Sequence, residues 1–151
     1  MMTDLITAIS SQQLVTTLQQ AGYRAHEVTN GQLVQIHSAT QGVGFVINLG
    51  NAVTEQKAEV VDFSFNCTLH IEGDLRSGLV DDWNRSRRFA RLSQQGQWLV
   101  LVMDVMVAGG VSAAWLQGQC ELWDALLREY IRHLQTPATV TAPVPAVAAA
   151  A

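Results

Sequence analysis

The densest chemistry in the chain lies between Asp81 and Ser93, DDWNRSRRFARLS, where two carboxylates, a tryptophan, an asparagine and four arginines share thirteen positions. Arg85, Arg87, Arg88 and Arg91 are the residue types that grip phosphate, in a nucleic-acid backbone or a nucleotide. The rest of the chain opposes that reading. Its formal net charge is −4, and Phe89 alone offers a stacking ring among the arginines. Pairing with Asp81, Asp82 or a helix dipole accounts for the charges better, because acids early and arginines late is the order a helix dipole favours. Nucleic acid is therefore not an expected partner. Trp83 and Asn84 admit two roles. They are a pair presented to a partner, or a core ring beside an amide that satisfies backbone groups at a helix end; the second is favoured, because buried polar groups are paired.

The other reactive types are scattered. Cys67 falls on the apolar face of a strand pattern and Cys120 on the apolar stripe of a helix pattern, where thiols act as small inert hydrophobes. His26, His37, His70 and His133 form no HxH, HxxxH or HExxH spacing. Cys67 and His70, three apart on a strand, point to opposite faces and cannot share a metal locally. The glycine-rich QGVGFVINLG fits neither phosphate-binding pattern, and no G-x-S-x-G elbow is present. Asp104 interrupts the apolar run WLVLVMDVMVA. An unpaired buried carboxylate is costly, so Asp104 is expected either hydrated near a strand end or, preferably, paired with Arg88 or Arg91 across a hairpin. No catalytic residue, metal or cofactor is expected, and the chain does not read as an enzyme.

These residues need elements to hold them. A length of 151 residues points to one domain, and 48% hydrophobic residues suit a globular core. Two cysteines are no disulfide scaffold. The opening MMTDLITAISSQQ has no signal-peptide character, and no run approaches the roughly 20 apolar residues of a membrane span. A cytoplasmic protein with reduced thiols and no membrane contact is expected. Thr136 to Ala151 holds all three prolines and no charge, which reads as a disordered tail behind a folded body at 5–135.

Ser10 and Gln13 form a capping box for a first helix, with Ile9 stapled onto Leu14. Gly22 supplies the left-handed residue that ends it. YRAHEV and QLVQIHS flank a Thr-Asn-Gly turn, a hairpin signal. GVGFVINLG is a third strand. In VVDFSFNCTLHI, Val61, Phe63, Phe65, Cys67, Leu69 and Ile71 share one face and polar residues the other. Ser77 or Asp74 caps a helix with the stripe Leu79, Val80 and Trp83, in which Asp81 and Arg85 pair and Arg87 and Arg88 close the last turn. Phe89 starts the strand FARLSQQ, which turns at Gln95-Gly96 into QWLVLVMDVMV, expected central and buried. Ser112 caps a final helix with Leu116, Cys120, Trp123, Leu127, Tyr130, Ile131 and Leu134 on one stripe. The expectation is an α+β fold, an antiparallel sheet flanked by helices in the order α-β-β-β-β-α-β-β-α.

The words and their order resemble a known family. DDWNRSRRFARLS is similar to the "WN…RF" signature of YbjN-like proteins, described as bacterial sensory-transduction regulators. LVLVMDVMVAGGVS resembles that family's strand and Gly-Gly-Val turn, and LVTTLQQAGYRAHEV its opening helix. The likeness covers residues 10–135. Asp82 and Ala90 fit the signature, whereas the strand LSQQGQ departs by being shorter and polar. The resemblance implies a fold like that of type III secretion chaperones, small proteins that often dimerise and bind partner proteins. It supplies no catalytic residues.

The expected function is a non-enzymatic protein-interaction module, a regulator or chaperone-like protein, with Trp83, Asn84, Arg87, Arg88 and Phe89 as its partner-binding or structural signature. The sheet face opposite the helices, or the terminal helix, is expected to take the partner, and a homodimer through Trp115, Trp123 or the sheet is expected. The alternative is a small-molecule sensor with a pocket between helix and sheet.

Overall fold

The computed structural model describes residues 5–53 and 58–135; the expected tail from Thr136 lies outside them. The elements are α1 (Ser11–Gln20), β1 (Ala25–Asn30), β2 (Leu33–Thr40), β3 (Val43–Leu49), β4 (Asp62–His70), α2 (Leu79–Ser86), β5 (Arg91–Gln95), β6 (Trp98–Met106) and α3 (Ala113–Gln135). That is the expected α+β order. The six strands form one sheet in the order β1-β2-β3-β4-β6-β5, every neighbouring pair antiparallel.

Local chemistry sets the ends of α1. The Ser10 hydroxyl accepts from the Gln13 N–H, and the Gln13 side chain accepts from the Ser10 N–H, so two orphan donors are satisfied reciprocally. At the other end Gly22 takes φ +98°, with Tyr23 N–H donating to Leu18 and Gly22 N–H to Gln19. This is the paired closure that a left-handed residue makes available.

All three two-residue hairpins differ from expectation at the turn; between β5 and β6 the loop is Gly96-Gln97, one residue beyond the expected Gln95-Gly96. Asn30 is the last residue of β1, and the two-residue loop is Gly31-Gln32 with only Gly31 at positive φ. Glycine in the first loop position favours that mirror-image turn over the Asn-Gly form. Between β2 and β3, Gln41 and Gly42 both take positive φ, a hairpin turn that the sequence pattern did not single out.

Each strand sends alternate side chains to the helices. Ile36, Phe45, Ile47, Phe63, Phe65, Cys67, Leu99, Leu101, Met103 and Val105 are all buried on that face. Trp123 of α3 stacks on Phe65 at 5.2 Å and meets Phe45 edge-on at 5.8 Å. Trp83 of α2 meets Tyr130 edge-on at 5.7 Å. Aromatic rings therefore fill the space between helices and sheet, where the alternative reading placed a pocket. The strand β6 is central in sequence character but not buried on both faces. Trp98, Val100, Val102, Asp104 and Met106 form its second face, with Trp98 47% and Met106 63% exposed. Among the described residues no helix covers that side: the rings of α3 pack on Phe45 and Phe65 of the other face, and Trp83 of α2 packs on Tyr130 of α3.

Candidate functional site

Two features converge near β5: the joint that carries the tryptophan signature, and the uncovered face of the sheet. The joint begins with α2. Gly78, at φ +81°, occupies its N-cap position and no side chain caps it, so the expected caps Ser77 and Asp74 are not used. Asp82 instead receives Arg76 at 3.0 Å and lies 3.8 Å from Arg85; the pair is i,i+3 rather than the expected Asp81 with Arg85. Arg87 is the C-cap in extended geometry, and Arg88 lies beyond it, so neither closes the last helical turn.

The Trp83 ring is fully buried, and its Nε1 donates to the Ala90 carbonyl at 3.1 Å. The Asn84 side chain makes two bonds to one backbone residue. Its Nδ2 donates to the Leu92 carbonyl and its Oδ1 accepts from the Leu92 N–H, each at 2.8 Å. An amide carries the donor and acceptor spacing of a peptide group, so Asn84 occupies the place of one residue of a neighbouring strand. In β5, Arg91, Ser93 and Gln95 pair with β6, and alternation turns the Leu92 groups outward. The Trp-Asn pair therefore seals most of the β5 edge, a known means of blocking edge-to-edge association. Asn84 does bond backbone groups, but those of a strand and not those at the helix end, where they were expected.

The arginines spread in different directions. Arg87 stacks over Trp83 at 5.2 Å and reaches Glu129 at 3.5 Å. Arg91 pairs with Asp104 at 2.7 Å, the preferred cross-hairpin pair, while Arg88 lies over the Phe89 ring at 4.8 Å. Phe89 does not start the strand. It stands at φ +76° and is 60% exposed, a rare conformation for a bulky residue. The neighbouring Ala90 carbonyl is held by Trp83, which fixes the turn that the Phe89 backbone must follow.

The uncovered face is a graded surface. Across one rung run His26, His37, Val46, Asn66, Val102 and Arg91. Below Val102, Asp104 accepts from Ser64 at 2.6 Å and from Arg91. The Ser64 hydrogen bond and then Arg91 hold its carboxyl below the usual carboxylate range. Beyond Val100, Trp98 meets His70 edge-on at 4.8 Å. A depression of about 440 Å³ is lined by Asn66, Thr68, Gln95, Trp98, Val100 and Val102. Sequence reasoning named the sheet face opposite the helices, or the terminal helix, as the partner surface, but it read the β6 run as central and buried and so missed what Trp98, Val100 and Val102 add to that face. The available signal was Asp104, which shares its period-2 phase with Trp98, Val100 and Val102.

The remaining reactive groups are spent on the core. Burial pushes the Cys67 thiol up to about 11 and, with Glu121 nearby, the Cys120 thiol up to about 12, far from thiolate chemistry at neutral pH. His133 is buried and hydrogen-bonded to the Leu79 carbonyl at 2.7 Å, tying α3 to α2. Trp123 is 1% exposed and so lies within the core, whereas Trp115 is 40% exposed. Among the described residues no group of three or more His, Cys, Asp or Glu is arranged to hold a metal, and no helix is long and apolar enough to cross a membrane.

Comparison with known proteins agrees with the signature. The family model YbjN, described as "Putative bacterial sensory transduction regulator", matches residues 10–136. No curated protein and no solved structure matches. The chain belongs to the YbjN family.

Proposed function

We propose that this member of the YbjN family acts by binding a partner protein, without chemical transformation, and that the uncovered sheet face is the surface it uses. The observation that carries the reading is the one-sided sheet. A single helical layer covers one face, and the other presents Trp98, Val100, Val102 and Val46 beside Asn66, Thr68 and Gln95. An exposed tryptophan next to a depression, rimmed by amides and a hydroxyl, is the composition of an interface anchor. The description of the family as a regulator of sensory transduction supports a signalling role for the complex. The chaperone-like variant of this reading uses the same face for an unfolded or extended segment of the partner.

Charge fits this use. Asp104 and Arg91 pair with each other on the face, so a largely uncharged partner docks with least cost on Trp98, Val100 and Val102 while this pair stays hydrated at the rim. The test is capture from extracts of the source cells with tagged protein, read by quantitative mass spectrometry. Proteins held by the native chain and by Trp115→Asp, yet lost by Trp98→Asp, are the predicted partners. Equal recovery by all three refutes the assignment of the face.

A further inference from the structure

We propose that the β1 edge is a self-association site, where two copies pair β1 with β1′ antiparallel and join their sheets into one of twelve strands. This edge is separate from the partner-binding face, and the two edges of the sheet are asymmetric. On β5, Trp83 holds the Ala90 carbonyl and Asn84 holds both backbone groups of Leu92. The β1 edge has no such plug. The two-residue turn at Gly31-Gln32 makes Asn30 and Leu33 the closing hydrogen-bonded pair, so Asn30, Val28 and His26 point their backbone groups at β2. Ala25, Glu27 and Thr29 therefore point theirs outward. Gln19 reaches the Ala25 carbonyl at 3.4 Å, and among the described residues no side chain hydrogen-bonds the outward backbone groups of Glu27 or Thr29. The strand is exposed at four of its six positions.

The sequence of β1 selects a second copy as its occupant. Outward groups must face outward groups, which limits a two-fold pairing to a few registers. Placing Glu27 opposite Glu27′ sets like carboxylates against each other, which is unfavourable in a ladder. Placing Thr29 opposite Thr29′ sets Glu27 against Gly31′, which at φ +67° is not extended, and so closes only the two bonds of the Thr29 pair. The register between them sets Glu27 opposite Thr29′ and Thr29 opposite Glu27′, closing four backbone hydrogen bonds, while Gly31′ falls opposite Ala25, whose carbonyl Gln19 already reaches. On the helix side each carboxylate then meets a threonine hydroxyl. On the other side Val28 meets Val28′ at the two-fold axis, and His26 meets Asn30′. No like charges oppose, and the same patch serves both copies, as a two-fold interface requires.

Two variants and one mass measurement test this. Light scattering of the native chain at high micromolar concentration is expected to show twice the 16.5 kDa chain mass. Thr29→Pro removes an outward N–H that β2 does not use, a tolerated place for proline on an edge strand. It is expected to weaken the dimer by about tenfold or more while leaving the unfolding transition nearly unchanged. Val28→Cys is expected to form a disulfide-linked dimer on mild oxidation, since facing residues of a non-hydrogen-bonded pair lie within disulfide reach; Asn48→Cys, in the middle of the sheet, is not. The native thiols are buried and do not interfere. A monomer at all concentrations overturns the proposal. So does a dimer that ignores Thr29→Pro and fails to cross-link at position 28.

Discussion

Replacing Asn84 by alanine isolates the structural role of the tryptophan signature. The substitution deletes two hydrogen bonds of 2.8 Å to Leu92 and leaves one N–H and one C=O of β5 without a protein partner. A net contribution of about 1 kcal/mol per bond, reduced where water replaces the amide, gives a loss of about 1–3 kcal/mol. For a folded body of this size that corresponds to a midpoint lowered by roughly 5–10 °C. Urea unfolding followed by tryptophan fluorescence reads the free energy. Arg85→Ala is the control. Its ion pair is 3.8 Å long and mostly exposed, so its effect stays under about 0.5 kcal/mol. Asn84→Asp keeps the acceptor for the Leu92 N–H but loses the donor, and sets a carboxylate against the Leu92 carbonyl, so it too destabilises. Hydrogen exchange adds a residue-level check. The Leu92 amide, which faces away from β6, is protected in the native chain and opens in Asn84→Ala, while Arg91 and Ser93 stay protected by β6. An Asn84→Ala protein as stable as Arg85→Ala, with Leu92 still protected, refutes the edge-seal argument.

Three other outcomes follow from the same geometry. Trp83→Phe removes the indole N–H that holds the Ala90 carbonyl and shrinks a fully buried ring, costing about 2–4 kcal/mol in urea unfolding. The Asp104 carboxyl titrates below the ordinary range, so its contribution to stability is present above about pH 4 and fades as pH falls through its lowered value; carbon-detected NMR is expected to show that titration move upward in Ser64→Ala and in Arg91→Ala. Cys67 and Cys120 are expected to resist a thiol reagent at pH 8 in the native protein and to react at both positions in urea.

The element order was legible because its signals are local. The Ser10 and Gln13 box, Gly22, the alternation from Phe63 to Leu69 and the Ser112 cap each report on a few neighbouring residues, and Ser112 does accept from the Trp115 N–H. The errors arose where position in the sheet decides. An apolar run such as WLVLVMDVMV has the composition of a strand buried on both faces, yet whether a second layer exists to bury it depends on where all the helices land. Here α1, α2 and α3 share one side, and Trp98 and Met106 remain in the open. Phe89 failed for a related reason. Its aromatic character favours a strand, but the long-range bond from Trp83 to Ala90 fixes a turn there. Asn84 was readable as a residue that satisfies backbone groups, though which strand it serves is set by contacts eight residues away.

On this reading the uncovered sheet face meets a protein in the cell. A photo-reactive amino acid placed at Thr68, on that face, and separately at Arg128, on the exposed side of α3, tests it in living cells. Irradiation is predicted to give a discrete heavier adduct from position 68 that Trp98→Asp abolishes, and none in common from position 128. Adducts of equal yield and identity from both positions, or adducts from 128 alone, would contradict it.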